Sequence, residues 1–158
     1  MTLFPSRKNL YLIILLFSLI SILLALYIEF ILGYKPCKLC IYQRLPYLAA
    51  LFVSFIGLYY FKNENILIIL IIIFTISALI SGYHFGIENS FFEEFSSCTN
   101  QLNLSDKAKL LESLSKNMPV DCKDATFTIL GVSLAAINTL LSILITIISI
   151  RTLSYEKN

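Results

Sequence analysis

Four cysteines carry the chemistry that this sequence suggests. Cys37 and Cys40 stand close together with two residues between them, whereas Cys98 and Cys122 are far apart in a polar stretch. A cysteine that serves only packing behaves as a small buried hydrophobic residue, yet all four lie outside the long apolar segments of the chain. We therefore expect the thiols to serve thiol and disulfide chemistry.

Arg44 follows Cys40 by one helical turn and is the only charged residue in its apolar segment. Pro36 suits the start of a helix, and the unpaired N–H groups and dipole at such a start favour a thiolate at the cysteine pair. A charge just inside a membrane indicates a functional site. Arg44 is therefore predicted to stabilise a thiolate or the reduced oxygen of a bound acceptor, with snorkelling to lipid headgroups as the alternative.

Two further polar residues, His84 and Glu29, stand near the ends of apolar segments, and Asn138 lies within the fourth segment. His84 is the sole histidine, and we predict that it donates a hydrogen bond to an acceptor carbonyl or relays a proton. A polar tip in the headgroup layer is the alternative for His84. Glu29 is interpreted as a solvated helix end, and Asn138 as a contact between packed helices.

Four apolar segments, residues 10–32, 41–61, 66–85 and 126–150, must position these side chains. Of the 158 residues, 58% are hydrophobic and only 14% are charged, whereas soluble domains carry about a quarter charged residues. Each segment reaches the roughly 20 residues with which a helix crosses a bilayer. The first segment is an apolar run too long for a signal peptide and lacks a cleavage site. We predict an all-α membrane protein, a four-helix transmembrane bundle forming a single domain over residues 1–158.

The order of the spans puts all four cysteines on one face of the membrane. The first loop, residues 33–40, and the long third loop, residues 86–125, emerge on the same side of a four-span bundle. Persistent disulfides indicate an oxidising compartment, so we expect periplasmic cysteine loops and cytoplasmic termini. Within the third loop, apolar residues at helical spacing predict a short amphipathic helix with one apolar face. This helix lies either on the bilayer surface or a partner, or against its own bundle. That face is formed by Leu104, Ala108, Leu111, Leu114 and Met118.

The pairing of the cysteines stays open at this point, because four cysteines allow three pairings. Cys37 with Cys40 and Cys98 with Cys122 is the expected arrangement, since a two-residue spacer closes easily and the other two share one loop. No glycine-rich dinucleotide motif, haem attachment motif or zinc ribbon spacing is present, so no metal site is predicted. A net charge of +2 without a basic cluster argues against nucleic acid. A lipid-soluble two-electron acceptor, a quinone, fits the dithiol.

Residues 35–44, KPCKLCIYQR, resemble the signature of the DsbB family of bacterial inner-membrane disulfide bond formation proteins. The likeness extends to the four spans, the late cysteine pair in the second external loop, and ILGVSL at 129–134. The resemblance implies that a Cys98–Cys122 disulfide exchanges with a periplasmic DsbA-like dithiol oxidase of the thioredoxin type. Cys98 is then the sulfur that is attacked.

The resemblance further implies an electron route into the membrane. Electrons pass to Cys37 and Cys40, and the Cys40 thiolate beside Arg44 transfers them to ubiquinone or menaquinone, with His84 near the quinone. Two other readings remain: a reductase like vitamin K epoxide reductase, in which the order of the cysteine pairs is usually reversed, and a four-span protein whose disulfides only stabilise its loops.

Overall fold

A computed structural model describes residues 5–92, 128–129 and 131–155. All four of its long helices are long and apolar enough to cross a membrane, which confirms the predicted four-helix bundle of a multi-pass membrane protein. The predicted amphipathic helix of the third loop, together with Cys98 and Cys122, lies outside the described residues. In chain order the elements are α1 (Arg7–Phe30), α2 (Lys38–Tyr59), α3 (Glu64–Glu88), β1 (Thr128–Ile129), β2 (Val132–Ser133) and α4 (Leu134–Tyr155).

The side chains of the bundle are arranged as lipid requires. Large apolar residues such as Ile20, Leu79 and Leu140 are exposed on the outer helix faces. Small hydroxyl residues are buried between helices, and the Ser77 hydroxyl of α3 lies 3.1 Å from the Ser142 hydroxyl of α4. Small and hydroxyl-bearing residues let membrane helices approach closely and hydrogen-bond to one another. The outer apolar faces are therefore available to lipid.

The core between α1, α2 and α3 is built on aromatic and branched side chains. Tyr11, Leu70 and Phe74 are fully buried in it. A Cβ atom added at Gly57 would lie 2.9 Å from the Tyr11 ring, closer than packed atoms tolerate. Gly57 therefore sets the close approach of α2 to α1.

The prediction that the fourth span begins at residue 126 is wrong, because α4 begins at Leu134. Two short strands precede it: Thr128 pairs with Ser133 and Ile129 with Val132. Gly131 adopts a φ of +81° in the intervening turn, a conformation that glycine takes without steric cost. A short apolar run does not distinguish strand from helix by its pattern alone, so the hairpin looked like part of the span.

The two ends of the bundle are distinguished by their contacts. At one end, Arg7 of α1 donates to the carbonyl oxygen of Lys62, in the loop between α2 and α3. At the other end, Cys37 packs with Ile87 near the end of α3. The α1–α2 loop and the end of α3 therefore share one end of the bundle, as the order of the spans requires.

Candidate active site

The cysteine pair stands at the N-terminus of α2. Cys37 is the N-cap residue, with φ −70° and ψ 169°, and its Sγ accepts a hydrogen bond from the Cys40 backbone N–H at 3.3 Å. A polar side-chain atom at this position satisfies one of the unpaired N–H groups of the first turn. The two sulfur atoms lie 3.0 Å apart, beyond the roughly 2.05 Å of a disulfide bond. The two sulfurs are therefore not bonded, and they lie close enough to join in a disulfide.

The Cys37 thiol is held in its neutral form. Its side chain is only 3% exposed, and the hydrogen bond to the Cys40 side chain together with burial raises the pKa of Cys37 to about 12. The expected thiolate at the helix start is therefore wrong for Cys37, because these two effects outweigh the helix terminus there. When the pair is reduced, the Cys37 thiol therefore keeps its proton near neutral pH. That proton must leave when the disulfide forms.

His84 on α3 is buried beside the pair. Its Nε2 atom lies 3.6 Å from Cys37 Sγ and 3.7 Å from Glu88 Oε1. Its Nδ1 atom lies 2.9 Å from the side-chain nitrogen of Gln43 on α2. The Gln43 amide donates in this arrangement, which leaves Nδ1 as the acceptor and the ring proton on Nε2. His84 is therefore oriented towards the sulfur and not towards the headgroup layer.

A chain of side-chain hydrogen bonds runs from His84 into the bundle. The Gln43 side-chain oxygen accepts from Asn138 Nδ2 of α4 at 3.3 Å. Asn138 Oδ1 in turn accepts from the Tyr47 hydroxyl and from the Ser142 hydroxyl, the latter at 3.4 Å. Asn138 thus bridges α2 and α4 and also holds the amide that orients His84, which goes beyond the packing role predicted for it.

Arg44 forms an ion pair with Glu29 near the end of α1. The interpretation of Glu29 as a solvated helix end is therefore wrong, because its carboxylate is used by the guanidinium of a neighbouring helix. Both side chains remain about a quarter exposed. The positive charge predicted for an acceptor is present, but it is partly balanced by Glu29.

A cavity of about 230 Å³ opens beside these residues between α1, α2, α3 and α4. Its polar side is lined by Cys37, Cys40, Arg44 and His84, so the structure brings four of the six predicted site residues to one place. Apolar side chains of α1 and α4, such as Phe17 and Leu141, form the rest of the wall. The cavity can hold a flat ring with polar edges close to the sulfurs, with its remainder among apolar side chains.

Glu88 is a site residue that the sequence reasoning missed. It lines the same cavity, its side chain is only 9% exposed, and its Oε2 atom has no hydrogen-bond partner among the described residues. The predicted third span ended three residues too early, at residue 85, so the relation of Glu88 to His84, one helical turn away, was not seen. Gln43 was also missed, although a polar residue next to Arg44 within a span was a usable signal.

The same residues form a cluster of metal-ligating atoms. The sulfurs of Cys37 and Cys40 and a ring nitrogen of His84 all lie within 4.8 Å of one another. The sequence offered no metal-binding spacing because His84 is 47 residues from Cys37, and only the packing of α3 against the start of α2 joins them.

Comparison with known proteins agrees with the cysteine motif. The chain matches the family model described as "Disulfide bond formation protein DsbB" over residues 7–152. It is similar to the Uncharacterized protein RP370 of Rickettsia prowazekii (strain Madrid E), with 28% identity over 155 residues that cover 96% of this chain and 90% of that protein. No solved structure matches the chain. Its match over nearly its whole length, together with the four spans, means that the chain belongs to the DsbB family and has the disulfide bond formation role of an oxidoreductase.

Proposed function

We propose that this protein reoxidises a periplasmic DsbA-like dithiol oxidase and passes the electrons to a membrane quinone. The observation that carries the proposal is the cysteine pair, whose sulfurs lie 3.0 Å apart at the wall of a cavity within a membrane bundle. A dithiol in this position can be oxidised only by an acceptor that enters from the membrane or the adjoining surface. Arg44 and His84 supply hydrogen-bond donors at the same wall.

The proposed relay consists of three two-electron exchanges. The reduced partner attacks the Cys98–Cys122 disulfide at Cys98, forms a mixed disulfide, and leaves with its own disulfide closed. The dithiol so formed then reduces the Cys37–Cys40 disulfide in the same way. Each of these first two exchanges breaks one S–S bond and forms another, and it proceeds readily only where the attacking sulfur is a thiolate and the leaving thiol is acidic.

The last step joins Cys37 and Cys40 and releases two electrons and two protons. A quinone supplies the chemistry of accepting both electrons and both protons together. Cys40 is the proposed electron donor because Arg44 follows it by one turn of α2, whereas the Cys37 thiol keeps its proton. As the Cys37 thiol loses its proton to the acceptor, the Nε2–H group of His84, which lies 3.6 Å from Cys37 Sγ, donates a hydrogen bond to the sulfur.

The cavity fits the head of such an acceptor. Sites that enclose a whole drug-sized ligand measure roughly 300–1,000 Å³, so about 230 Å³ suits a ring head group whose tail lies in lipid. Arg44 provides a charge-assisted donor for a developing negative oxygen, and donors positioned in advance at a cavity wall stabilise such charge as it develops. Ubiquinone and menaquinone both meet this description.

The proposed location is the bacterial inner membrane, with cytoplasmic termini and periplasmic cysteine loops. Disulfide exchange requires an oxidising compartment on the cysteine side. Two variants are compared, one that keeps Cys98 as its sole cysteine and one whose sole cysteine replaces Ser154. A membrane-impermeant thiol reagent applied to intact spheroplasts should label the first variant and leave the second unlabelled. Labelling of both, or of position 154 alone, would contradict this orientation.

The function is tested by mixing the purified protein with a reduced thioredoxin-fold dithiol protein and a quinone, and following the loss of quinone absorbance. We expect turnover by the native chain and none by Cys40→Ser or Cys98→Ser. The matched control is Ser96→Ala, which changes a small polar residue near Cys98 without removing a thiol. Full activity of the Cys98 variant would refute the two-pair relay.

A redox titration separates this proposal from purely structural disulfides. Structural bridges have potentials below about −300 mV, whereas exchanging pairs are more oxidising. We expect both cysteine pairs above that value, and values below it for both pairs would favour the structural alternative.

A further inference from the structure

Four potential metal ligands meet at the cysteine end of the bundle. Their atoms converge from the start of α2 and the end of α3, and three of them lie within 4.8 Å of one another. The fourth, Glu88, follows His84 by one helical turn, with 3.7 Å between its Oε1 atom and the ring Nε2. Two thiols, an imidazole and a carboxylate form a donor set typical of zinc.

The spacing of these atoms is close to that of a tetrahedral site. With Zn–S of about 2.3 Å and Zn–N of about 2.0 Å, ligand atoms are about 3.8 Å apart for two sulfurs and about 3.5 Å for sulfur and nitrogen. Cys37 Sγ lies 3.6 Å from His84 Nε2, and the two sulfurs lie 3.0 Å apart. The sulfurs must therefore separate by several tenths of an ångström, which rotation of the Cys40 side chain can supply.

The state of Glu88 points to a ligand independently of the thiols. Its side chain is nine-tenths buried and lines the cavity, and its Oε2 atom has no hydrogen-bond partner among the described residues. A buried carboxylate is costly unless it is paired or coordinates a cation. A metal ion beside His84 would satisfy this oxygen.

We propose that the dithiol form of this site binds a zinc-class divalent cation, and that the disulfide form does not. The ligands are Cys37 Sγ, Cys40 Sγ, His84 Nε2 and a carboxylate oxygen of Glu88. Binding converts both thiols to thiolates and releases their two protons, with no change of oxidation state. Oxidation to the disulfide removes both thiolate ligands, so the cation cannot remain.

Gln43 supports the metal from outside the ligand set. Coordination at Nε2 requires the ring proton of His84 to be on Nδ1, which lies 2.9 Å from the Gln43 amide. Rotation of that amide by half a turn presents its oxygen to the Nδ1 proton, and the Asn138 amide has to rotate with it so that its oxygen accepts from Gln43. Such outer hydrogen bonds fix the ring of a metal-bound histidine.

The test uses a Cys98→Ser/Cys122→Ser chain in detergent, so that the only thiols are Cys37 and Cys40. The chain is reduced with a phosphine, and Co²⁺ is added as a spectroscopic probe before titration with Zn²⁺. We expect one Co²⁺ per reduced chain, with sulfur-to-cobalt charge-transfer absorption that Zn²⁺ abolishes. The oxidised chain, which has the same fold and sequence, should bind neither ion at this site.

Variants identify the ligands. Cys40→Ser should weaken Zn²⁺ binding by about 100-fold or more, and Glu88→Gln by about 10-fold. The control Glu64→Gln alters a glutamate at the opposite end of the bundle and should leave the affinity unchanged. Equal uptake by reduced and oxidised chains, or reduced-chain uptake without charge-transfer absorption, would overturn the proposal. Unchanged affinity in Glu88→Gln would overturn the four-ligand site.

These measurements need neither quinone nor a partner protein, so the metal site and the proposed relay can fail separately. Where the relay operates, the bound cation should also block it. The cation engages the lone pairs of both sulfurs and occupies the cavity wall where the electron acceptor would bind. Zn²⁺ should then inhibit turnover of the native chain, and a chelator should restore it.

Discussion

Each end of the bundle carries an arginine paired with a glutamate, but the surroundings of the two pairs differ. At one end the Arg7 side chain is 8% exposed, contacts Glu64 at 3.4 Å and also donates to the Lys62 carbonyl. At the other end Arg44 is 26% exposed, pairs with Glu29, and borders the cavity that holds the cysteines. The same two residue types thus fasten a loop to a helix at one end and line a cavity at the other.

The difference shows that an ion pair by itself does not mark a functional site. Arg7 is surrounded by protein, so its removal leaves polar groups without a partner, which costs stability. Arg44 is partly exposed, and such pairs contribute little to stability. What distinguishes Arg44 is its place on a cavity wall that also carries the two sulfurs of Cys37 and Cys40.

The largest expected effect comes from neutralising each arginine in turn. Arg44→Gln should raise the apparent KM for quinone by about 10- to 100-fold, because a hydrogen bond to a charged group contributes about 1.5–3 kcal/mol. Its melting temperature should stay close to that of the native chain. Arg7→Gln should do the reverse, lowering the free energy of unfolding by about 1–2 kcal/mol with KM unchanged. An equal rise of KM in both variants would remove the distinction between the two ends.

A smaller effect is expected from the hydrogen-bond chain that leads to His84. Asn138→Leu removes the donor to Gln43, so the amide that orients His84 loses its support. We expect quinone turnover to fall by about fivefold, the equivalent of one hydrogen bond of about 1 kcal/mol. The control is Thr139→Val on the same helix, since among the described residues the Thr139 hydroxyl donates to a carbonyl of its own helix, that of Ala135. A similar fall in the control would indicate a general packing effect.

The smallest effect concerns the glutamates of the two pairs. Glu29→Gln leaves the charge of Arg44 unbalanced, and the apparent affinity for quinone should rise by about two- to fivefold, within the range of a partly exposed pair. Glu64→Gln is the matched change at the opposite end and should leave KM unaffected. A weaker affinity in Glu29→Gln would instead indicate that Glu29 itself contacts the acceptor.

The sequence predicted the spans well where apolar length decided the outcome and less well at their ends. All four predicted membrane-spanning helices are present, because a long apolar segment in lipid has to satisfy its backbone internally. The start of α4 was misplaced since the apolar residues of the hairpin around Gly131 carry no period that separates strand from helix. The pairing of Glu29 with Arg44 was missed because it joins two helices, and no spacing along the chain reports such a contact.

The amino-acid sequence by itself determined that this chain is a four-span membrane protein with a Cys-x-x-Cys motif at the head of its second helix. These features follow from composition and local order, which need no knowledge of how the helices pack. Only the tertiary structure decided that His84 stands beside Cys37, that Glu29 balances Arg44, and that a chain through Gln43 and Asn138 orients the histidine. Such contacts depend on how the helices rotate and approach one another, and that is set by close packing of side chains distant in the chain.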